Sequence, residues 1–124
     1  MLPTEKQLLA NIRIKLGGMA AEEVVFGTRS TGAGGHPGCD LDQASRIAYR
    51  FAGSYGFGKS LRYQCDTNRV DESFIAAPDL RAEVDAILMR EYRTIKELLT
   101  KGKTRLMSLA AELVVSREMR IDKA

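Results

Sequence analysis

The stretch that decides the fold is "STGAGGHPGCDLDQASRIAYRFA", Ser30 to Ala52. It opens with Gly32, Gly34, Gly35, Pro37 and Gly38, residues that interrupt regular structure and read as loop. It then passes directly into a helical pattern. After Asp40, the residues Leu41, Ala44, Ile47, Ala48, Phe51 and Ala52 recur three and four apart, the spacing of one helix face. Asp40 suits the N-cap of that helix, because its carboxylate can accept an unpaired backbone N–H. Gly53 and Gly56 flank the far end.

The same period recurs on both sides. From Thr4 to Leu16, with Pro3 ahead and Glu5 in the first turn, Leu8, Leu9, Ile12 and Leu16 form an apolar stripe. Gly17-Gly18 is expected to interrupt it, letting two helices bend or pack closely. "MAAEEVVFG" then reads as a second short helix closed by Gly27. Residues 57–77 lack a helical period, and "SLRYQCD", Ser60 to Asp66, reads as a short extended piece. Pro78 opens the longest helix, about residues 78 to 100, with Leu80, Val84, Ile87, Leu88, Ile95, Leu98 and Leu99 as its stripe. Lys101-Gly102-Lys103 is expected to break it. A last helix follows from about Thr104 to Val115, carrying Leu106, Leu109, Ala110 and Leu113, and Ser116 opens one further turn. Residues 1–124 are thus expected to form a single all-α domain: a bundle-like set of about five to six helices, a glycine-rich loop and a short extended segment.

With 124 residues, 44% hydrophobic and 28% charged, the chain is an ordinary globular domain able to bury a core. The net charge of +3 comes from 19 basic and 16 acidic residues that are largely interspersed. This mixed surface, with no basic run and 6% aromatics, gives no expectation of a nucleic-acid partner. No stretch approaches the roughly 20 apolar residues of a membrane span, so these residues are expected to be soluble. Cys39 and Cys65 suit a reducing compartment and lie in no C-x-x-C.

Several chemistries can be weighed on the residues alone. A phosphate loop requires lysine after its glycines, whereas here Asp40 holds the favourable spot at the helix start. Cys39 and His36 are three residues apart in a loop, which does not make a nucleophile–base pair. A hydrolytic zinc site takes three protein ligands and leaves a position for water. The chain has one histidine, so no two-histidine site forms within it. His36, Cys39, Asp40 and Glu22 or Glu23 are the available donors, and weak metal binding by His36, Cys39 and Asp40 within the loop is one reading of them.

Three segments, in order, carry a family resemblance. "LGGMAAEEVVFG", Leu16 to Gly27, resembles the LGGRAAEE helix of FtsH-type ATP-dependent zinc metalloproteases. "STGAGGHPGCDLDQASRIAYRFAGSYGFG" resembles their STGA-x-x-DL-x-x-AT segment and the YGM stretch that closes it. "EVDAILMREYRTIKELLTKGKTRLMSLAAELVVSREM", Glu83 to Met119, resembles their closing helices, and the whole covers about residues 3 to 122. The resemblance implies the C-terminal part of a mostly helical peptidase domain. It also implies an ATP-binding AAA module outside these residues, a hexamer, a membrane anchor, a cytoplasmic-facing active site and unfolded or membrane proteins as substrates. Zn2+ is held there by two histidines of H-E-x-x-H and by the aspartate that matches Asp40 here. Glu22 matches an acidic position near the metal, beyond the ligands themselves.

The H-E-x-x-H pair and its glutamate base are absent from this sequence, so no catalytic residue is assigned in it, and alone it is expected to be inactive. Met19 replaces the arginine of GGRAAEE, Ser45 the usual threonine, and Arg62-Tyr63 a common Gly-Pro. The loop before Asp40 is lengthened. A dimer is expected of the isolated chain, whose apolar surface would otherwise face water. The alternative reading is a non-catalytic helical interaction or oligomerisation module derived from the same family.

Overall fold

The computed structural model describes residues 2–68 and 77–123. Three α-helices organise them: α1, Glu5–Phe26; α2, Asp40–Tyr49; and α3, Pro78–Lys123. A π-helical turn, Arg50–Ser54, continues α2. The all-α expectation holds, and no strand occurs among the described residues. The expected count of five to six helices does not hold, because the breaks expected within α1 and within α3 are absent.

The first concerns α1. Thr4 and Gln7 form a reciprocal cap: the Gln7 N–H donates to Thr4 Oγ1 at 3.2 Å, and the Thr4 N–H to Gln7 Oε1 at 2.8 Å. The helix then runs unbroken through Gly17 and Gly18. Neither glycine takes a positive φ, and a Cβ at either would meet nothing within 4 Å. They are therefore neither hinge nor close-contact residues. Two helical glycines cost about 1 kcal/mol each relative to alanine. Burial of Ile12, Leu16 and Ala20, one turn apart, offsets that cost. Gly27 does end the helix as expected, at φ +74, its N–H donating to the Glu23 carbonyl at 2.9 Å.

The second concerns α3. Pro78 takes the first helical position, as expected, but the helix then continues through Lys101-Gly102-Lys103 for 46 residues, about 69 Å at the usual rise. Gly102 lacks a positive φ and crowds nothing. Lys103 Nζ donates to the Val24 carbonyl at 3.2 Å, which ties that turn to α1. Ser116 likewise lies within the helix and opens no new one. The stripe expected of Leu106, Leu109, Ala110 and Leu113 falls on side chains outside the described set.

The core lies where the three helices meet. Ile12, Leu16 and Ala20 of α1 pack with Ala44, Ala48 and Tyr49 of α2 and with Leu80, Val84 and Ile87 of α3. The π-turn adds Phe51 and Ala52 and brings Gly53 against Cys65 and Leu80. Its widened geometry leaves the Gly53 carbonyl to accept from the N–H groups of Gln64 at 2.8 Å and Cys65 at 3.2 Å. Ser60 to Asp66 therefore docks on the helix as coil and forms no strand. Residues 57–68 are non-helical, as expected, and residues 69–76 lie outside the described set. Charged groups reinforce the packing: Glu91, 4% exposed, accepts from Arg13 Nη1 at 2.8 Å across α1 and α3.

Candidate functional site

The loop from Gly27 to Cys39 joins α1 to α2 and is fastened at both ends. At its start, Glu22 on α1 accepts the Ser30 N–H at 2.6 Å and the Ser30 hydroxyl at 2.9 Å. Those two bonds, the backbone one first, hold the Glu22 carboxyl below its ordinary range. Farther on, the Leu41 N–H donates to the Ala33 carbonyl at 2.9 Å, folding the loop back onto the helix start. At its end, the Gly38 N–H donates to Asp42 Oδ2 at 2.8 Å, and Gln43 Nε2 donates to the Gly38 carbonyl at 2.7 Å.

The cap of α2 differs from expectation by one residue. Cys39, not Asp40, is the N-cap, and its Sγ accepts the Asp42 N–H at 3.5 Å. Sulfur can accept that bond because it is a weak acceptor set beside an unpaired helix donor. Asp40 is the first helical residue. Its carboxylate is exposed and has no hydrogen-bond partner among the described residues. Asp42, the second acid of the turn, is fully engaged, because Arg46 Nε donates to its other oxygen at 3.1 Å. The Gly38 bond, followed by the Arg46 charge, holds the Asp42 carboxyl below its ordinary range.

This division of labour bears on metal binding. A carboxylate consumed by capping has little to offer a cation, whereas Asp40 keeps its oxygens available at the start of a helix. The donor chemistry at Asp40 suits one zinc ligand, but the described residues do not assemble a site: no three His, Cys, Asp or Glu side chains converge to hold a metal among them. His36 is exposed, and its carbonyl accepts the Cys39 N–H at 3.2 Å. Cys39 is buried beneath the helix start, so the loop reading of His36, Cys39 and Asp40 as a metal triad finds no geometry here. Cys39 and Cys65 are both free thiols. Beside Asp40, Leu41 borders an open apolar groove of about 350 Å³ whose walls include Leu16, Met19, Leu88, Met89 and Tyr92.

Sequence reasoning picked Glu22 from the "EE" pair, yet Glu23 makes the longer-range contacts. Tyr92 donates its hydroxyl to Glu23 Oε2, and Lys96 Nζ donates to Oε1 at 2.9 Å. The signal was present in Tyr92 and Lys96, four apart on one face of α3, but it needed the packing of α1 on α3 to be read. Asp42 was missed as well, although its spacing to Arg46 is legible as a helical ion pair.

Among the described residues the geometry defines a helical fold that keeps the Asp40 carboxylate available at a helix start and assembles no complete metal-donor set. The chain belongs to peptidase family M41, whose family model matches residues 1–123. It is 38% identical over 121 residues to the ATP-dependent zinc metalloprotease FtsH 2 of Symbiobacterium thermophilum, covering 91% of this chain and 19% of that protein. The ATP-dependent zinc metalloprotease FtsH 2 of a Thermoanaerobacter species is 30% identical over 113 residues, 91% of this chain and 21% of its own length. The mouse ATP-dependent zinc metalloprotease YME1L1 is 32% identical over 100 residues, 77% of this chain and 13% of its own. The chain spans about a fifth of the length of the FtsH relatives it matches. No solved structure matches it.

Proposed function

We propose that these 124 residues are the C-terminal helical part of the peptidase domain of an ATP-dependent zinc metalloendopeptidase, in which Asp40 is the third zinc ligand. The observation that carries the reading is the partnerless, exposed carboxylate of Asp40, set between a sulfur cap at Cys39 and a consumed carboxylate at Asp42. The other two ligands and the general base come from an H-E-x-x-H helix outside these residues. The apolar groove beside Leu41 supports further chain packing at this place. When bound, zinc supplies an activated water for attack on a peptide carbonyl. The chain's own part is to present one anionic oxygen from a rigid helix start and to hold the loop before it clear, through Glu22 and Asp42.

ATP binds a module outside these residues, and unfolded or membrane proteins are the substrates. The complete protein forms a hexamer and is membrane-anchored with its peptidase facing the cytoplasm; the isolated chain is inactive and dimerises. Among the described residues no helix is long and apolar enough to cross a membrane. Exposed Phe26, Leu61 and Tyr63, 75%, 94% and 68% accessible, support contacts with further protein.

The test is Asp40→Ala in the complete protease. Loss of proteolysis with ATPase activity retained supports the ligand role; unchanged proteolysis refutes it. Zinc-dependent peptidase activity from the 124 residues alone would contradict the predicted inactivity. The second reading, a non-catalytic helical interaction module, is favoured by the single histidine and the lack of convergent donors among the described residues. It is the one left standing if Asp40 proves dispensable.

A further inference from the structure

We propose that Asp42, with Gln43 beside it, is the positioning residue for Asp40: the first turn of α2 grips Gly38 by both of its backbone polar groups and thereby fixes the path into Asp40. The inference rests on the ligand reading of Asp40 and goes beyond it. Gly38 sits two residues before Asp40 at φ +84, a left-handed conformation that glycine adopts without steric cost. Its N–H is held by Asp42 at 2.8 Å and its carbonyl by Gln43 at 2.7 Å. Arg46, one turn farther along α2, holds the second Asp42 oxygen at 3.1 Å and so orients the carboxylate that does the gripping. Cys39, between Gly38 and Asp40, is pinned through its sulfur to the Asp42 N–H. Both residues that lead into Asp40 are thus tied to Asp42, one by its side chain and one by its backbone.

The reason for such a clamp lies in the loop. "STGAGGHPGCDL" puts six residues between STGA and DL, where the resembling pattern has two. A longer, glycine-rich loop has more conformations to lose and leaves its far end less constrained. A metal ligand tolerates only about 0.5 Å of misplacement. Asp42 and Gln43 occupy the two unspecified positions of the DL-x-x-AT pattern, where the clamp compensates the longer loop. Asp42 touches neither metal nor substrate; it acts through Gly38 and Cys39.

The experiment compares zinc affinity, by chelator competition, in the complete protease carrying Asp40→Ala, Asp42→Ala, Asp42→Asn or Gln43→Ala. Amide hydrogen exchange at Gly38 is followed in the 124-residue chain with the same substitutions. Asp42→Ala is expected to weaken zinc by about 10- to 100-fold, the usual effect of losing a partner that orients a ligand. Its Gly38 amide should exchange faster while helicity is retained. Asp42→Asn keeps one oxygen for the Gly38 N–H but turns an amide NH2 toward the Arg46 donor, so its zinc affinity should fall between those of wild type and Asp42→Ala. Gln43→Ala should weaken zinc in the same direction, and it keeps the test decisive if Asp42→Ala does not fold. Wild-type zinc affinity in Asp42→Ala and Gln43→Ala, with Asp40→Ala impaired, overturns the clamp and leaves the ligand reading intact. A loss in Asp42→Asn equal to that in Asp42→Ala also overturns it. Wild-type affinity in Asp40→Ala removes the ligand reading, and the clamp falls with it.

Discussion

Tyr92 on α3 donates its hydroxyl to Glu23 on α1, and Lys96, one turn along α3, donates to the other Glu23 oxygen at 2.9 Å. Arg29 and Lys96 lie 5.9 and 5.7 Å from the Tyr92 ring centre, so the ring is flanked by cations as well. This knot fastens the end of α1 to the middle of the long helix.

The knot makes stability depend on pH in two directions. The Tyr92 bond first, then Lys96, holds the Glu23 carboxyl below its ordinary 4.5. Its contribution is therefore present above pH 4.5 and lost as pH falls through the lower folded value. Burial first, then the bond to Glu23, pushes the Tyr92 phenol above 10.0. That contribution is complete below pH 10.0 and lost as pH rises through the folded value. Tyr92→Phe should lower the melting temperature at pH 7, with the deficit shrinking below pH 4.5 as Glu23 is protonated in the wild type. A deficit that does not change with acid, or no deficit, would show that the pair is not coupled.

The glycines of the two continuous helices offer a direct check on continuity. Gly17, Gly18 and Gly102 lack positive φ, and a Cβ at any of them meets nothing within 4 Å. Alanine at each should raise stability by about 0.5–1 kcal/mol, because the unfolded chain loses freedom and the helix gains a better former. Denaturant unfolding of the three single variants measures this. A break at Lys101–Lys103 with Gly102 left-handed would give the opposite sign.

Gly53 should behave in the reverse way. A Cβ there falls 2.7 Å from Cys65 Sγ and 3.1 Å from Leu80 Cδ2, both in the core. Gly53→Ala is expected to destabilise by about 1–3 kcal/mol, the usual cost of overpacking. Combining it with Cys65→Ala, which vacates the clashing atom, should recover part of the loss. Equal stability of Gly53→Ala and wild type would contradict the close approach in the π-turn.

Much of the fold was legible because helices write their buried face into the sequence. The stripe of Ile12 and Leu16, the Pro78 start and the Gly27 stop needed only local rules. Gly17-Gly18 and Gly102 are breakers by propensity, and only the packing of α1 against α2 and α3 tips them to helix. The cap at Cys39 was misread because sulfur is a weaker acceptor than the neighbouring carboxylate, and the contact depends on how the loop folds back through Ala33. Asp40 was legible from the residues as one of several possible donors, and only the family resemblance singled it out as a ligand. Its availability became visible only when Asp42 and Cys39 were seen to do the capping. Glu23 and Tyr92 are 69 residues apart, and no local pattern pairs them.

The central claim is that Asp40 contributes an oxygen to zinc. Its most direct measurement is the zinc content and affinity of the complete protease with Asp40→Ala beside wild type, both shown to be folded by circular dichroism. The account predicts that the variant retains its helicity but loses tightly bound zinc. A folded Asp40→Ala protein that binds zinc in the same amount and as tightly as wild type would contradict it.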